Sequence, residues 1–266
     1  MLKSINKKIV ILVVFPVLFT VILASFILVW QKNKYPEEKA KELHQKTEET
    51  IQKTTIDGWE FPKEEGKHDN LAIEKWYFAG HLEEEGNPEN KFGVTLFFFK
   101  KPGYAYIVVV DGIRQKIYSS QIGIGQYDLL SEEKLAIKKG DDFWLEKELF
   151  KYQINFSFFS FGDNKVELNL SSAKKPFFIS NTPDAFYYQQ TRVKVEGQLS
   201  LQGSEYKVKG WGWIDHRGFV KSIPDSGWRW VAIQLDNNTE MAFATSIDKK
   251  NKTNLFLFKD EQKIEI

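Results

Sequence analysis

Two aromatic-rich stretches carry the residue types from which chemistry can be built. In Lys209-Gly210-Trp211-Gly212-Trp213-Ile214-Asp215-His216, the residues Trp211, Trp213 and Asp215 recur at every second position. In a strand these three side chains share one face and His216 takes the other, unless Gly210, Gly212 and Gly218 bend the backbone. A carboxyl among aromatic groups loses hydration, which raises its pKa toward neutrality, and an aromatic face stabilises a developing cation. The second stretch, Glu74-Lys75-Trp76-Tyr77-Phe78-Ala79-Gly80-His81-Leu82, supplies Glu74 and His81, each able to orient a ligand or a water. Trp76 and Tyr77 beside them, and Trp228 and Trp230 in Gly227-Trp228-Arg229-Trp230-Val231, are candidate ligand contacts.

Each of these residues also has a plainer use. Trp211 and Trp213 can be a packed pair, with Asp215 and His216 satisfying loop amides. Glu74 and His81 can be hydrogen-bond partners at a barrel mouth, and Trp76 with Phe78, or Trp228 with Trp230, can be core. Other chemistries find little support. There is no G-x-S-x-G elbow and no H-E-x-x-H, and no two of the four histidines stand two or four positions apart. No metal and no cofactor are expected. Gly123-Ile124-Gly125 lacks a third glycine, so it is a bend and not a dinucleotide loop. Cysteine is absent, which removes thiolate metal sites and cysteine nucleophiles. A net charge of +1 demands no phosphate-binding surface, so no nucleic-acid partner is expected.

The elements that must position these residues read as strands. Aromatics make up 15% of the chain, a bias toward β-structure. Short alternating runs cover Phe92 to Phe99, Tyr104 to Val110, Lys151 to Phe159 and Val166 to Leu170. In Lys151 to Phe159 the large residues Tyr152, Ile154, Phe156 and Phe158 alternate with polar ones, giving one apolar face. Gly162-Asp163-Asn164, Gln202-Gly203-Ser204 and Asp236-Asn237-Asn238 tolerate positive φ and predict three antiparallel hairpins. With no βαβ rhythm, such strands protect their edges by closing, and so many large aromatics favour a barrel over a sandwich.

The N-terminal region differs. No charge interrupts Ile9 to Trp30, about 33 Å of helix at 1.5 Å per residue, which predicts a single transmembrane helix serving as signal anchor within residues 1–32. A cleavable signal peptide is the alternative, but no small-residue cleavage site follows the apolar run. Lys3, Lys7 and Lys8 keep the N-terminus cytoplasmic and place the rest outside the cell membrane. Residues 33–57 are expected to form a linker that is helical from Pro36 to Lys53, with His44 on its surface. Residues 58–266 form the globular domain.

Taken in order, Glu74 to Leu82, Trp213-Ile214-Asp215-His216 and Gly227 to Leu235 resemble the AttH-like, hydroxyneurosporene synthase (carotenoid 1,2-hydratase) family. That family opens on an EWWYFTGHL-like element, continues to W-x-DH and then to a GWDWFALQLDDG-like strand. The resemblance covers about residues 70 to 245. It implies two consecutive lipocalin-like (calycin-like) β-barrels with a ligand site near their junction. Here the second barrel, starting after residue 227, is expected to be reduced, because the later closing strands have no counterpart. The opening reads Glu74-Lys75-Trp76-Tyr77 where two tryptophans are usual, and Arg217-Gly218-Phe219 follows Asp215-His216 where an acidic residue and tryptophan are common.

For hydratase members the resemblance implies protonation of an isolated double bond by a buried aspartic acid, followed by attack of water; Asp215 matches that acid. The expected function is a membrane-anchored exported lipocalin-like protein binding an apolar or amphipathic small molecule such as a lipid or isoprenoid. One alternative is a hydratase- or isomerase-like lyase with Asp215 as general acid and Glu74 or His81 positioning water. The other is a structural or interaction domain whose open sheet edge pairs with an unknown protein partner.

Overall fold

The computed structural model describes residues 52–100, 103–122, 128–158, 164–221, 228–246, 253–259 and 262–265. These carry eighteen strands: β1 (Thr54–Ile56), β2 (Trp59–Phe61), β3 (Ile73–Glu84), β4 (Asn87–Phe99), β5 (Tyr104–Asp111), β6 (Lys116–Ile122), β7 (Asp128–Leu129), β8 (Ala136–Lys139), β9 (Asp142–Glu148), β10 (Lys151–Ser157), β11 (Lys165–Ser172), β12 (Phe177–Thr182), β13 (Ala185–Leu201), β14 (Ser204–Phe219), β15 (Trp228–Gln234), β16 (Glu240–Ser246), β17 (Thr253–Lys259) and β18 (Gln262–Glu265).

A twelve-stranded antiparallel sheet runs β6-β5-β4-β3-β14-β13-β11-β10-β9-β8-β7, with β12 added on β13; β15 to β18 form a separate four-stranded sheet. The large sheet curls, because one face of nearly all its strands feeds a single core. Tyr118 and Val109 near one end share a buried cluster with Ile137 and Trp144 near the other. The polar-apolar alternation along Lys151–Ser157 sets Tyr152, Ile154 and Phe156 into that core, as the sequence predicts. Gln202 and Gly203, at φ 52° and 78°, turn the long β13–β14 hairpin, and Asn238 at φ 63° turns β15 into β16. The third expected hairpin joins β10 to β11, which pair antiparallel.

Two expectations need correction. The predicted closed barrel is an open curl, since no hydrogen-bonded ladder joins β6 to β7 among the described residues. Its hollow is filled by packed aromatic and aliphatic side chains. An N-terminal transmembrane helix is not part of the fold found either: among the described residues no helix is long and apolar enough to cross a membrane, and the one helical segment is the 3-10 turn Lys63–Glu65. Residues 9–30, which carried that expectation, lie outside the described residues, as do His44, nearly all of the expected helical linker and Gly123-Ile124-Gly125. Where the linker does enter the described part it is strand β1, paired to β2. The β-branched run Thr54-Thr55-Ile56 disfavours helix, and Asp57-Gly58, both at positive φ, close the hairpin.

The small sheet packs on the outer face of the large one. Phe177 and Trp213 from the large sheet meet Ala242, Phe256 and Phe258 in a second buried cluster, with Trp230 at its edge. Burying a side chain such as Phe258 contributes about 1.5–3 kcal/mol. Polar ties fix the approach: the buried Glu240 carboxylate accepts from Lys174 Nζ at 2.7 Å and Thr191 Oγ1 at 3.2 Å and pairs with Arg192, while Gln234 Nε2 donates to the Gly212 carbonyl at 2.9 Å. At one end of the curl, the Lys63–Glu65 turn is fastened by Trp76 Nε1, which donates to the Glu65 carbonyl at 3.0 Å.

Candidate functional site

Strands β3 and β14 pair without interruption from Ile73↔Phe219 to Glu84↔Val208, so the glycines of β14 do not bend it. They serve close approach instead: a Cβ at Gly210 would lie 2.2 Å from the His81 carbonyl oxygen, closer than any real contact. With the strand regular, Asp215 and His216 stand on opposite faces. Glu74 and His216 point into the curl, Asp215 and Trp213 point toward the small sheet, and the four expected catalytic residues do not converge on one cavity.

On the inner face Glu74 is fully buried and holds three partners. Its Oε1 lies 2.7 Å from His68 Nδ1 and 3.1 Å from His216 Nε2, and its Oε2 lies 3.1 Å from Lys100 Nζ. His68 Nε2 reaches Glu64 at 3.0 Å, and His216 Nδ1 meets the Tyr188 hydroxyl at 2.9 Å. Trp76 stacks on the His216 ring at 4.4 Å, so it is a packing partner of the inner network and not a wall of the Asp215 face. Burial works against charge on both Glu74 and His68, but their mutual contacts win: Glu74 is held down to about 2 by His216 and His68, and His68 is raised to about 9 by Glu64 and Glu74. Burial lowers His216 and keeps it neutral. A proton on Nε2 is donated to Glu74, while Nδ1 shares the Tyr188 hydroxyl with the Glu64 carbonyl, to which that hydroxyl donates at 3.2 Å. His68, Glu74 and His216 offer atoms within 4.8 Å of one another and are of a type that holds metals. In this arrangement the ring nitrogens are already partnered, and Lys100 supplies charge that a cation would otherwise provide.

On the outer face Asp215 is partly accessible, and both its oxygens accept hydrogen bonds. The Tyr187 hydroxyl donates to Oδ2 at 2.9 Å and Trp213 Nε1 to Oδ1 at 2.8 Å. Burial nevertheless pushes the carboxyl up to about 7, against those donors and the nearby Lys75 and Arg217. Burial and the Arg217 charge lower Lys75 to about 8. Tyr77 sits directly across from Asp215 in register, and Trp230 of the small sheet meets Tyr77 and Trp213 edge-on, each at 5.7 Å. Aromatic walls therefore surround a carboxyl poised at neutrality. Three polar atoms in the same seam are buried without a protein partner: Gln189 Oε1, Arg217 Nε and Trp230 Nε1.

The remaining expected residues lie apart. His81 and Trp211 are register partners on the Asp215 face, but His81 lies four residues along β3 from Tyr77, about 13 Å at 3.3 Å per residue. Both line an open surface groove of about 470 Å³ together with Phe92, and Arg192 lies over the Trp211 ring at 5.4 Å. His81 is exposed and does not reach Asp215. The Trp228 side chain lies outside the described ones. Sequence reading missed His68, Glu64, Lys100 and Tyr188 on the inner face, and Tyr187, Gln189, Lys75 and Arg217 on the outer. Tyr187 and Tyr188 were available to it as a second consecutive pair, which in a strand next to Asp215-His216 must send one hydroxyl to each face.

The AttH-like family matches residues 52–258. The chain belongs to this family. No curated protein matches it. Among solved structures it is similar to a putative AttH from Nitrosomonas europaea, with a TM-score of 0.67 and 20% identity over 79% of this chain and 73% of that one. It is also similar to kievitone hydratase from Nectria haematococca, with a TM-score of 0.64 and 11% identity over 82% of this chain and 69% of that one. At these identities the likeness is one of fold. The AttH-like chain therefore shares its architecture with a hydratase.

Proposed function

We propose that this AttH-like protein binds an apolar or amphipathic small molecule, of lipid or isoprenoid kind, in the seam between its two sheets, and that Asp215 protonates a double bond of that molecule. The observation that carries this reading is the Asp215 carboxyl itself: held by two donors, walled by Tyr77, Trp213 and Trp230, and raised to about 7. An acid with a pKa near the working pH is matched to proton transfer in either direction. In the reaction the Asp215 proton passes to one alkene carbon and the π pair forms the new C–H bond. The positive charge left on the neighbouring carbon faces the aromatic rings. Water then adds through its oxygen and returns a proton to the carboxylate, which gives a hydratase; loss of an adjacent C–H proton to the same carboxylate gives an isomerase. Buried Gln189 Oε1, free to accept a hydrogen bond, supports a bound water or ligand hydroxyl in the seam. Glu74 is reserved for the inner face and takes no part.

The experiment is turnover of a panel of unsaturated isoprenoids and fatty acids, followed by mass spectrometry for the gain of one water or for a shifted double bond. Asp215→Asn is expected to abolish about 10²–10⁴ of the rate while leaving binding, followed by tryptophan fluorescence, in place. Unchanged turnover in this variant removes Asp215 as the acid. The filled hollow of the curl favours a second reading, a non-catalytic domain, which a silent panel in both turnover and binding would support.

A further inference from the structure

Inside the curl, away from the seam, several buried oxygens have no hydrogen-bond partner. Glu65, on the 3-10 turn, and Glu146, on β9, are both fully buried. Tyr152 joins them: it is the cross-strand register partner of Glu146, and its hydroxyl donates to Glu65 Oε1 at 2.9 Å. Gln190, also fully buried, donates through Nε2 to the same Glu65 oxygen at 2.7 Å and lies 2.5 Å from the Tyr152 hydroxyl. Glu146 Oε1 accepts from the Phe150 amide at 3.1 Å. One oxygen of each carboxyl is thereby satisfied. Glu65 Oε2, Glu146 Oε2 and the Gln190 amide oxygen remain buried with no protein partner. Buried acceptors left unpaired in a native interior call for a bound water, ion or proton; burial and their mutual proximity push both carboxyls up, Glu65 to about 7, so the pair is ionised only where a positive charge joins it. Lys134, on a half-buried loop, acts on Glu146 electrostatically.

We propose that Glu65, Glu146 and Gln190 form an internal site for one hard metal cation of the Ca²⁺ or Mg²⁺ class, held by oxygen alone. Two carboxylates and an amide carbonyl, with no sulfur or imidazole, are the donor set that such cations select. The cation would clamp the Lys63–Glu65 turn, and with it the end of the curl, to β9 and β13. Its role is structural, and it is independent of the chemistry proposed at Asp215.

The test uses the purified full-length chain after treatment with a chelator. Calcium, magnesium and manganese chlorides are titrated separately by calorimetry at constant ionic strength, with thermal unfolding recorded in parallel. The expected result is saturable binding of one ion per chain, with a dissociation constant of roughly 10⁻⁵–10⁻³ M, and a melting temperature that rises with its concentration. Terbium, excited through tyrosine, is expected to luminesce at the same site because the Tyr152 hydroxyl contacts the Glu65 carboxyl. Glu146→Gln is expected to weaken binding by about tenfold or more, and Asp215→Asn to leave it unchanged. The proposal is overturned if the wild-type chain binds none of these ions, or if Glu146→Gln binds as tightly as wild type. Should Glu146→Gln fail to fold, Gln190→Met, which deletes the amide oxygen together with the Nε2 donor to Glu65, makes the same distinction. Absence of binding combined with a Glu65→Gln variant at least as stable as wild type would assign the orphaned oxygens to bound protons instead.

Discussion

Asp215 and His216 are consecutive in one strand, yet they belong to environments that treat charge in opposite ways. On the inner face, Glu74 is wrapped by His68, Lys100 and the His216 ring, so hydrogen bonds and opposite charge together defeat burial and the carboxylate stays ionised down to about 2. On the outer face, Asp215 has two neutral hydrogen-bond donors, burial wins, and the carboxyl reaches about 7. Two carboxyls on neighbouring strands thus differ by the presence or absence of charged first neighbours. The first is fit for holding the sheet and the second for moving a proton.

The largest test of this contrast is Glu74→Gln. It leaves His68 and Lys100 without their buried counter-charge, and breaking such a pair is expected to cost about 3–5 kcal/mol, read as a fall in the denaturant midpoint. Asp215→Asn should cost far less at pH 7 and can stabilise, because it removes a carboxyl that burial penalises. If the two variants are equally damaging, the distinction between a locked face and a poised one is wrong.

The pH dependence of stability sharpens it further. Glu74 is depressed in the folded state, so its contribution is present above the ordinary value of 4.5 and disappears as pH falls toward about 2. His68 is raised, so its contribution is complete below 6.5 and lost as pH climbs through about 9. Asp215 acts oppositely to Glu74: the folded state holds its proton more tightly, so stability declines as pH rises from 3.8 to about 7. Wild type minus Asp215→Asn should therefore show a slope confined to that window, and wild type minus Glu74→Gln should show the two outer limbs. Turnover, where it is found, should fall above pH 7 as Asp215 loses its proton.

Tyr187→Phe is a smaller perturbation. It deletes one donor to Asp215, worth about 1 kcal/mol in stability, and leaves the carboxylate less supported. The alkaline limb of activity should move to higher pH. An unmoved profile would mean that Tyr187 does not bear on the Asp215 proton.

How much of this the sequence disclosed follows from what periodicity can see. Alternation in Lys151 to Phe159 and the turn residues at 202–204 and 236–238 reveal local strand and hairpin, and two-residue spacing puts Trp213 with Asp215 and sets His216 on the far side. Closure is a different matter, because it depends on whether β6 meets β7, and no local pattern reports that. The inner network was illegible for a related reason. His68 sits in Glu64-Glu65-Gly66-Lys67-His68, a polar stretch with no period, and becomes a partner of Glu74 only because the 3-10 turn folds back under Trp76. Glu74 stands out in the sequence as a group able to orient a ligand or to hold a barrel mouth, but a strand's period separates two sides without saying which is the interior.

The smallest effect concerns Trp230, and it separates a ligand contact from core. Its ring closes the seam against Tyr77 and Trp213, while its Nε1 is buried with no protein partner. A buried donor left unpaired is a standing cost of about 1–3 kcal/mol unless a ligand or water accepts from it. Trp230→Phe keeps an aromatic ring and deletes that donor, trading some lost packing for relief of the cost. Stability is expected to change by less than about 1 kcal/mol. If the seam binds a molecule that accepts from Nε1, affinity for that molecule should fall severalfold with stability nearly constant. A parallel loss of stability and affinity would make Trp230 a packing residue, and the Asp215 seam would then have to bind its ligand through Gln189 and Arg217.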